Sequence, residues 1–438
     1  MSEKGVTDKV YGYLAEDEDA RVCKDIPESA CNHQPRSFVL MLLSLTLTKL
    51  GDSLVSARLV LPWMLSALGA PAVFISALVP LRESLALLPQ LFVAQKLREQ
   101  PVRKWFWVAG SFGQAIALAL MVVVVATLTG AALGWGVVIL LAVFSLSRGI
   151  CSVANKDVTG KTVSKTKRGK LSGVAAASAG LLTLLTALVI IYSPPLEADN
   201  WLFLLLLGAG VILWTAAALL YAGIPEVSGA TSGGGNAVTE ALKSIAILWR
   251  NGQFGHFVLT RALLVAAAFA IPYIVVMIQR QGESELTGLG SLLLASGLAG
   301  LLAGRFWGRW SDTASHRVMA AASVMSTLVM LATLAIFYWQ PGLFSVEWIA
   351  ALLLFTSAVA HHGARVGRKT YLVDMADQDN RAQLTAVSNT VMGVVLLAGI
   401  LLGWLDAAYG AAAVLWFLVA IGLLAFVSSL VLPNVSGD

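Results

Sequence analysis

Apolar positions in this chain run in blocks the length of a bilayer crossing rather than in stripes the width of a helix face. A helix needs roughly 20 apolar residues to cross a membrane, and about twelve such blocks can be counted. They fall near 38–63, 72–95, 105–127, 134–155, 171–193, 201–223, 255–278, 288–310, 318–339, 347–369, 382–404 and 412–432, here numbered spans 1 to 12. Charged residues make up only 13% of the 438, against about a quarter in soluble domains, and mean hydropathy is +0.79. The pattern predicts an all-α integral membrane protein. The polar, acid-rich tail ahead of span 1 is too long for a cleavable signal, so span 1 reads as an uncleaved anchor.

The second half repeats the first at an offset of about 213 residues. Residues 153–180 lie over 366–393 without a gap, matching Lys156 to Lys369, Arg168 to Arg381, Leu171 to Leu384, Val174 to Val387 and Gly180 to Gly393. Lys49 similarly falls on Arg261, and each is followed by a proline–aromatic pair, Pro62-Trp63 and Pro272-Tyr273. A duplicated membrane half is the architecture of secondary transporters, whose two bundles rock about a central site. The expected division is a tail at 1–36, a six-helix bundle at 37–223, a linker at 224–252, a second bundle at 253–432 and a short tail at 433–438. The linker begins with the flexible run GATSGGGN, and the following Val238, Leu242, Ile245 and Leu248 share a face. That segment is either an amphipathic surface helix or an extension of span 7.

Basic residues flank the cytoplasmic ends of spans. The connections after spans 2 and 4 hold Lys96, Arg98, Arg103, Lys104, Lys156, Lys161, Lys165, Lys167, Arg168 and Lys170, whereas those after spans 1, 3, 5, 9 and 11 have neither Lys nor Arg. Both termini are therefore expected in the cytoplasm, in a cell-membrane (inner-membrane) protein. The net charge of +5 then follows from topology, so nucleic acid is not an expected partner.

After span 8, Gly308-Arg-Trp-Ser-Asp312-Thr-Ala-Ser-His316-Arg317 resembles the loop signature Gly-x-x-x-Asp-Arg-x-Gly-Arg-Arg of the major facilitator superfamily. Thr313 and Ser315 depart from it, and the first-half copy, ending in Arg103-Lys104, has lost both its Gly and its Asp. The resemblance covers residue 37 to the end and implies two pseudo-symmetric six-helix bundles with spans 1, 4, 7 and 10 around a central cavity. It also implies a cytoplasmic gate at Gly308, Asp312 and Arg317, where Gly lets helix ends approach and Asp pairs with the start of span 5 and with Arg365 or Arg368.

Ionisable residues at membrane depth persist where they face protein or a wet cavity. Span 1 carries Lys49, Asp52 and Ser56 on one face; span 4 carries Arg148, Ser152 and Asn155; span 7 carries Arg261; span 10 carries His361, Arg365 and Arg368. The repeat lays His361 on Arg148, Arg365 on Ser152 and Arg368 on Asn155. Lys49, Arg148, Ser152, Arg261, His361 and Arg365 are the expected substrate ligands, and their excess of cations points to an organic or phosphorylated anion. Arg58, opposite Lys49 on a continuous helical wheel, falls outside that site.

Coupling needs a group that changes protonation. Asp52, one turn from Lys49, and Glu83 are the candidates, with His361 behind them; Glu83 could instead sit in a static ion pair with another helix. Arg148 also resembles the span 4 Arg that members of the superfamily link to proton transfer. The Gly-Pro signature of drug/proton antiporters is missing from span 5.

Other chemistry fails on context. Gly160-Lys161-Thr162 lacks the first glycine and the strand of a phosphate-binding loop. Cys23, Cys31 and His33 are too few for zinc and read as unliganded thiols in a cytoplasmic tail, while Cys151 reads as a packing residue. No metal, cofactor or enzymatic activity is expected. The reading is a monomeric, proton-coupled transporter of a small anion; efflux of hydrophobic or cationic compounds and a non-transporting sensor acting through its tail are the alternatives.

Overall fold

A computed structural model describes residues 7, 11–12, 26–88, 90, 93, 96–97, 99–192, 200–229, 231, 245–281, 286–376 and 381–435. Among them every regular element is helical, and ten helices are long and apolar enough to cross a membrane. The two remaining spans, Ala72–Leu87 and Gly288–Gly304, are shorter. Large apolar side chains such as Ile116, Val189, Ile212, Val394 and Val427 are exposed on the outside of the molecule, as befits a surface solvated by lipid.

Several spans differ from the uninterrupted helices read from the sequence. Span 1 divides into Gln34–Leu54 and Val60–Ala67, with residues 55–59 non-helical between them. Ser56 organises that break: its Oγ accepts from the Arg58 amide at 3.3 Å and its carbonyl accepts from Leu61 at 3.0 Å. Span 7 divides at residues 264–265 into Gly252–Leu263 and Ala266–Gln281. Span 11 runs as Arg381–Ala398, a short 3-10 turn, and Leu402–Tyr409. Spans 8 and 9, expected as helices joined by a loop, form one run, Leu286–Trp339, bent at Ala314 (φ −157°, ψ 70°). Spans 3, 4, 5, 6, 10 and 12 are Lys104–Thr127, Gly130–Thr162, Lys165–Tyr192, Trp201–Ala222, Glu347–Met375 and Ala411–Val431.

Each half has its own aromatic core. Trp107 stacks on Tyr221 with centroids 3.9 Å apart in the first half, and Phe257 stacks on Tyr371 at 5.1 Å in the second. Spans 5 and 8 meet through small residues: a side-chain carbon at Gly180 would lie 2.7 Å from Leu301, and one at Gly290 would lie 2.8 Å from Ile191. Glycine at such crossings lets two helix backbones come close, which is how packing replaces the hydrophobic effect inside lipid.

Most of the expected amphipathic linker segment lies outside the described residues, apart from the four-residue helix Ile247–Arg250. Cys23 also lies outside them. The reading of Cys31 as a free thiol is corrected, because Cys31 is disulfide-bonded; the expectation rested on compartment alone and carried no information on geometry. Cys151 is buried between Ser111, Gln114 and the Trp107 carbonyl, as a packing residue would be.

Candidate functional site: a cationic cavity between the bundles

A cavity of about 530 Å³ lies between the two halves, lined from spans 1, 2 and 4 on one side and spans 7, 10 and 11 on the other. At one end the halves close on each other. Ser66 donates to Gln279 at 2.7 Å, Tyr273 donates to Ser76 at 2.8 Å, and Arg280 reaches Ser66 at 3.2 Å. At mid-depth Ser84 donates to the Gly393 carbonyl at 2.6 Å. The lining residues Gln90, Lys156, Lys369, Val373 and Thr385 stand near the opposite ends of their spans, on the side where span 1 begins and span 12 finishes. The cavity therefore lies toward the end that carries both termini.

Of the expected ligands, Arg148, Ser152, Arg261, His361 and Arg365 line this space. Lys49 is exposed and within electrostatic reach of Asp52, Arg148 and Arg365. Arg368, expected at the gate, lines the cavity too. Lys156, Lys369 and Arg58 are additions that the sequence reading did not make. Arg58 was excluded on a continuous wheel; the break at residues 55–59 turns it inward, where its Nη2 lies 2.6 Å from the Glu83 carboxylate. Glu83 thus sits in an interhelical ion pair.

Asp52 is held differently from expectation. Its ionic partners are Arg148 at 2.5 Å and Arg82 at 2.7 Å rather than Lys49. The Arg82 guanidinium also lies over the Phe144 ring, 4.8 Å from its centroid. Three spans are thereby tied together by one carboxylate.

The second half is arranged otherwise. Arg261 donates to Ser388 Oγ at 2.5 Å and Asn389 Oδ1 at 2.9 Å, both neutral acceptors. Among the described residues Arg365, Arg368 and Lys369 have no hydrogen bond or ion pair, and neither do Lys49 and Lys156. Buried Nε atoms of Arg58 and Arg261 and the Nε2 of His361 are likewise without partners. The cavity thus presents seven cationic side chains against one lining carboxylate, Glu83, which is already matched.

The expected gate is not engaged. Asp312 and Arg317 are exposed beside the bend at Ala314, and Asp312 has no hydrogen bond or ion pair among the described residues. A side-chain carbon at Gly308 would meet nothing within 4 Å; the close approaches lie instead at Gly363, against Trp307, and Gly367, against Met319. In the first half the loop that lost its Asp is supplied with carboxylates from elsewhere. Arg103 pairs with Asp157 at 2.5 Å, and fully buried Glu226 accepts from the Arg103 and Lys104 amides and from Lys161 at 2.8 Å. Glu226 so caps the start of span 3, where unpaired amides favour an anion. It stands beyond span 6, where nothing local in the sequence marks it.

No family model matches the chain, and no curated protein matches it by sequence. Solved structures do match by fold. A variant of the nucleoside transporter NupG aligns with TM-score 0.68 and 14% identity, covering 90% of this chain and 99% of its own. A POT family transporter in complex with a thioalcohol-conjugated peptide aligns at 0.69 and 12%, covering 93% and 97%. A D-xylose–proton symporter aligns at 0.65 and 14%, covering 92% and 99%. These neighbours are of the major facilitator type. The chain has the major facilitator fold and is a multi-pass membrane protein.

Proposed function

We propose that the chain is a secondary transporter that carries a small organic anion through the bilayer by alternating access, as a monomer with both termini in the cytoplasm. The observation that carries the reading is the charge of the cavity: seven cations line it, and three of them on span 10 have no counter-charge. Cations held at membrane depth are costly to leave unmatched, and guanidinium groups fork onto carboxylate or phosphate. A bound anion supplies the counter-charge that these side chains lack. The same sign counts against a cationic substrate. With the halves joined at one end and the cavity lying toward the termini, we read the conformation as cytoplasm-facing, and the unengaged Asp312 is in keeping with a gate that is open.

Proton coupling enters through Asp52. Arg148 lines the cavity yet spends its charge on Asp52, which it shares with Arg82. A proton on Asp52 would remove that acceptor and leave Arg148 to the substrate, so proton and anion would bind cooperatively. Glu83 would play the same part toward Arg58. The deciding experiment is transport in liposomes containing purified protein, with a panel of radiolabelled organic anions and cations and an imposed pH gradient. Accumulation of an anion that Arg365→Gln suppresses supports the reading; accumulation of a cation that both Arg365→Gln and Arg261→Gln leave intact overturns it.

A further inference from the structure

The cavity is two-sided in polarity, and this limits what kind of anion fits. Span 11 presents Thr385 and Asn389 near the mouth and Met392 and Leu396 further in; span 7 presents Arg261 and then Leu264, Val265 and Ala268. On both spans the lining passes from polar to apolar with depth. Seven residues of helix separate Asn389 from Leu396, or about 10 Å at 1.5 Å per residue. On the same side span 10 contributes Arg365 and Arg368, with Lys369 nearer the mouth, and span 4 contributes Lys156 from the other side.

Two further features narrow the chemistry. Among the described lining residues there is no Phe, Tyr or Trp, so the wide ring faces on which a nucleobase stacks best are missing and only the His361 imidazole is offered. Neutral hydrogen-bonding side chains number only Gln90, Ser152, His361, Thr385 and Asn389, and Asn389 already accepts from Arg261. The oxygens of a polyol could accept from the arginines and lysines, but its several O–H donors would meet few free acceptors, and each unpaired group is costly in an enclosed site.

We infer that the substrate is an amphipathic organic anion: a phosphate or carboxylate head held by Arg365 and Arg368, and an apolar body of a few carbons lying against Leu264, Val265, Met392 and Leu396. This deepens the proposed anion transport and rests on it. A cavity of about 530 Å³ is within the range of pockets for small organic ligands. The head stays near the mouth, where water and lysines attend it, while the body enters first toward the closed end.

The test is a chain-length series on full-length protein in nanodiscs. Binding of inorganic phosphate, then methyl, ethyl, propyl and butyl phosphate, is measured by calorimetry beside the matching neutral alcohols. Each methylene buried in an apolar site is worth about 0.8 kcal/mol, or about fourfold in Kd. Kd should fall by that factor per carbon along the phosphates, and the alcohols should bind far more weakly. Arg365→Gln should raise Kd by a similar factor across the phosphates, whereas Leu396→Asn should flatten the slope and leave inorganic phosphate unchanged. The unmodified protein decides the matter even if Leu396→Asn does not fold. Phosphates that bind with no dependence on chain length overturn the amphipathic body and leave the anion reading standing. Alcohols that bind as tightly as phosphates, or a series in which no member binds, overturn both.

Discussion

The two halves match along the sequence repeat yet handle charge in opposite ways. In the first, the membrane-depth arginines come with carboxylates, Arg58 with Glu83 and Arg82 and Arg148 with Asp52, as do Arg103 and Lys161 with Asp157 and Glu226, while Lys49 and Lys156 stand without one among the described residues. In the second, Arg365, Arg368 and Lys369 face the cavity unmatched, and Arg261 is met only by neutral oxygens. The repeat shows where the difference arose. Positions that hold Ser388 and Asn389 hold Ala175 and Ala176 in the first half, and Ser152 and Asn155 stand where Arg365 and Arg368 stand in the second. One half thus holds its membrane-depth arginines in ion pairs and the other leaves them open to negative charge.

The sharpest way to break this comparison is to disturb the frame at its most shared point. Asp52→Asn removes the acceptor of two arginines while keeping its shape, and should abolish accumulation driven by a pH gradient while leaving exchange of labelled substrate across liposomes. Persistent gradient-driven accumulation in both this variant and Glu83→Gln would show that neither carboxylate carries the proton. Next comes the acceptor. Arg365→Gln and Arg368→Gln should each raise the Kd of the transported anion by about 10- to 100-fold, since hydrogen bonds to charged groups are worth roughly 1.5–3 kcal/mol. Against this, the double change Arg58→Gln with Glu83→Gln removes a pair without net charge, and should alter Kd by less than about threefold on the same scale. If the double variant loses as much affinity as Arg365→Gln, the two halves do not divide the work as described.

A smaller effect is expected at Asp312. Its partners would be made only when the terminus side closes, so Asp312→Asn should shift the population toward the conformation seen here by about tenfold, the worth of one ionic hydrogen bond. Spin-label distances between the terminus-side ends of spans 5 and 8 measure it; unchanged distance distributions would reduce Asp312 to a residue of topology. The smallest effect concerns Arg261. Replacing Ser388 and Asn389 with the alanines of the first half should release its guanidinium and tighten anion binding by about fivefold, at ~1 kcal/mol for a competing hydrogen bond. Weaker binding in that variant would mean the two oxygens position Arg261 rather than occupy it.

Span count, duplication and the cationic sign of the cavity were legible because each is written in periodic or repeated features. Arg148, Ser152, His361 and Arg365 were placed by spacing along uninterrupted helices and Arg261 by its repeat match to Lys49, and all five line the cavity. Arg58 was missed where that assumption failed, at the break after Leu54, for which Ser56 leaves only a weak local sign. Arg82 was passed over because its relation to Asp52 crosses between spans. Lys156 and Lys369 were read as flanking charge, and nothing in sequence separates a lysine that marks a membrane boundary from one that guards a cavity mouth. Glu226 acts through a contact formed only once spans 3, 4 and 6 are assembled.

The closed end of the molecule bears on how it would respond to its medium. Ser66 with Gln279 and Tyr273 with Ser76 are neutral pairs, Arg280 reaches only the neutral Ser66 hydroxyl, and Phe269 and Pro80 pack against Gly399. Dissolved ions screen charges over about 8 Å at physiological ionic strength but have little hold on contacts of that kind. Raising salt should therefore weaken occupancy of the cavity without loosening the barrier behind it, so that a change of ionic strength would empty the carrier rather than open a leak.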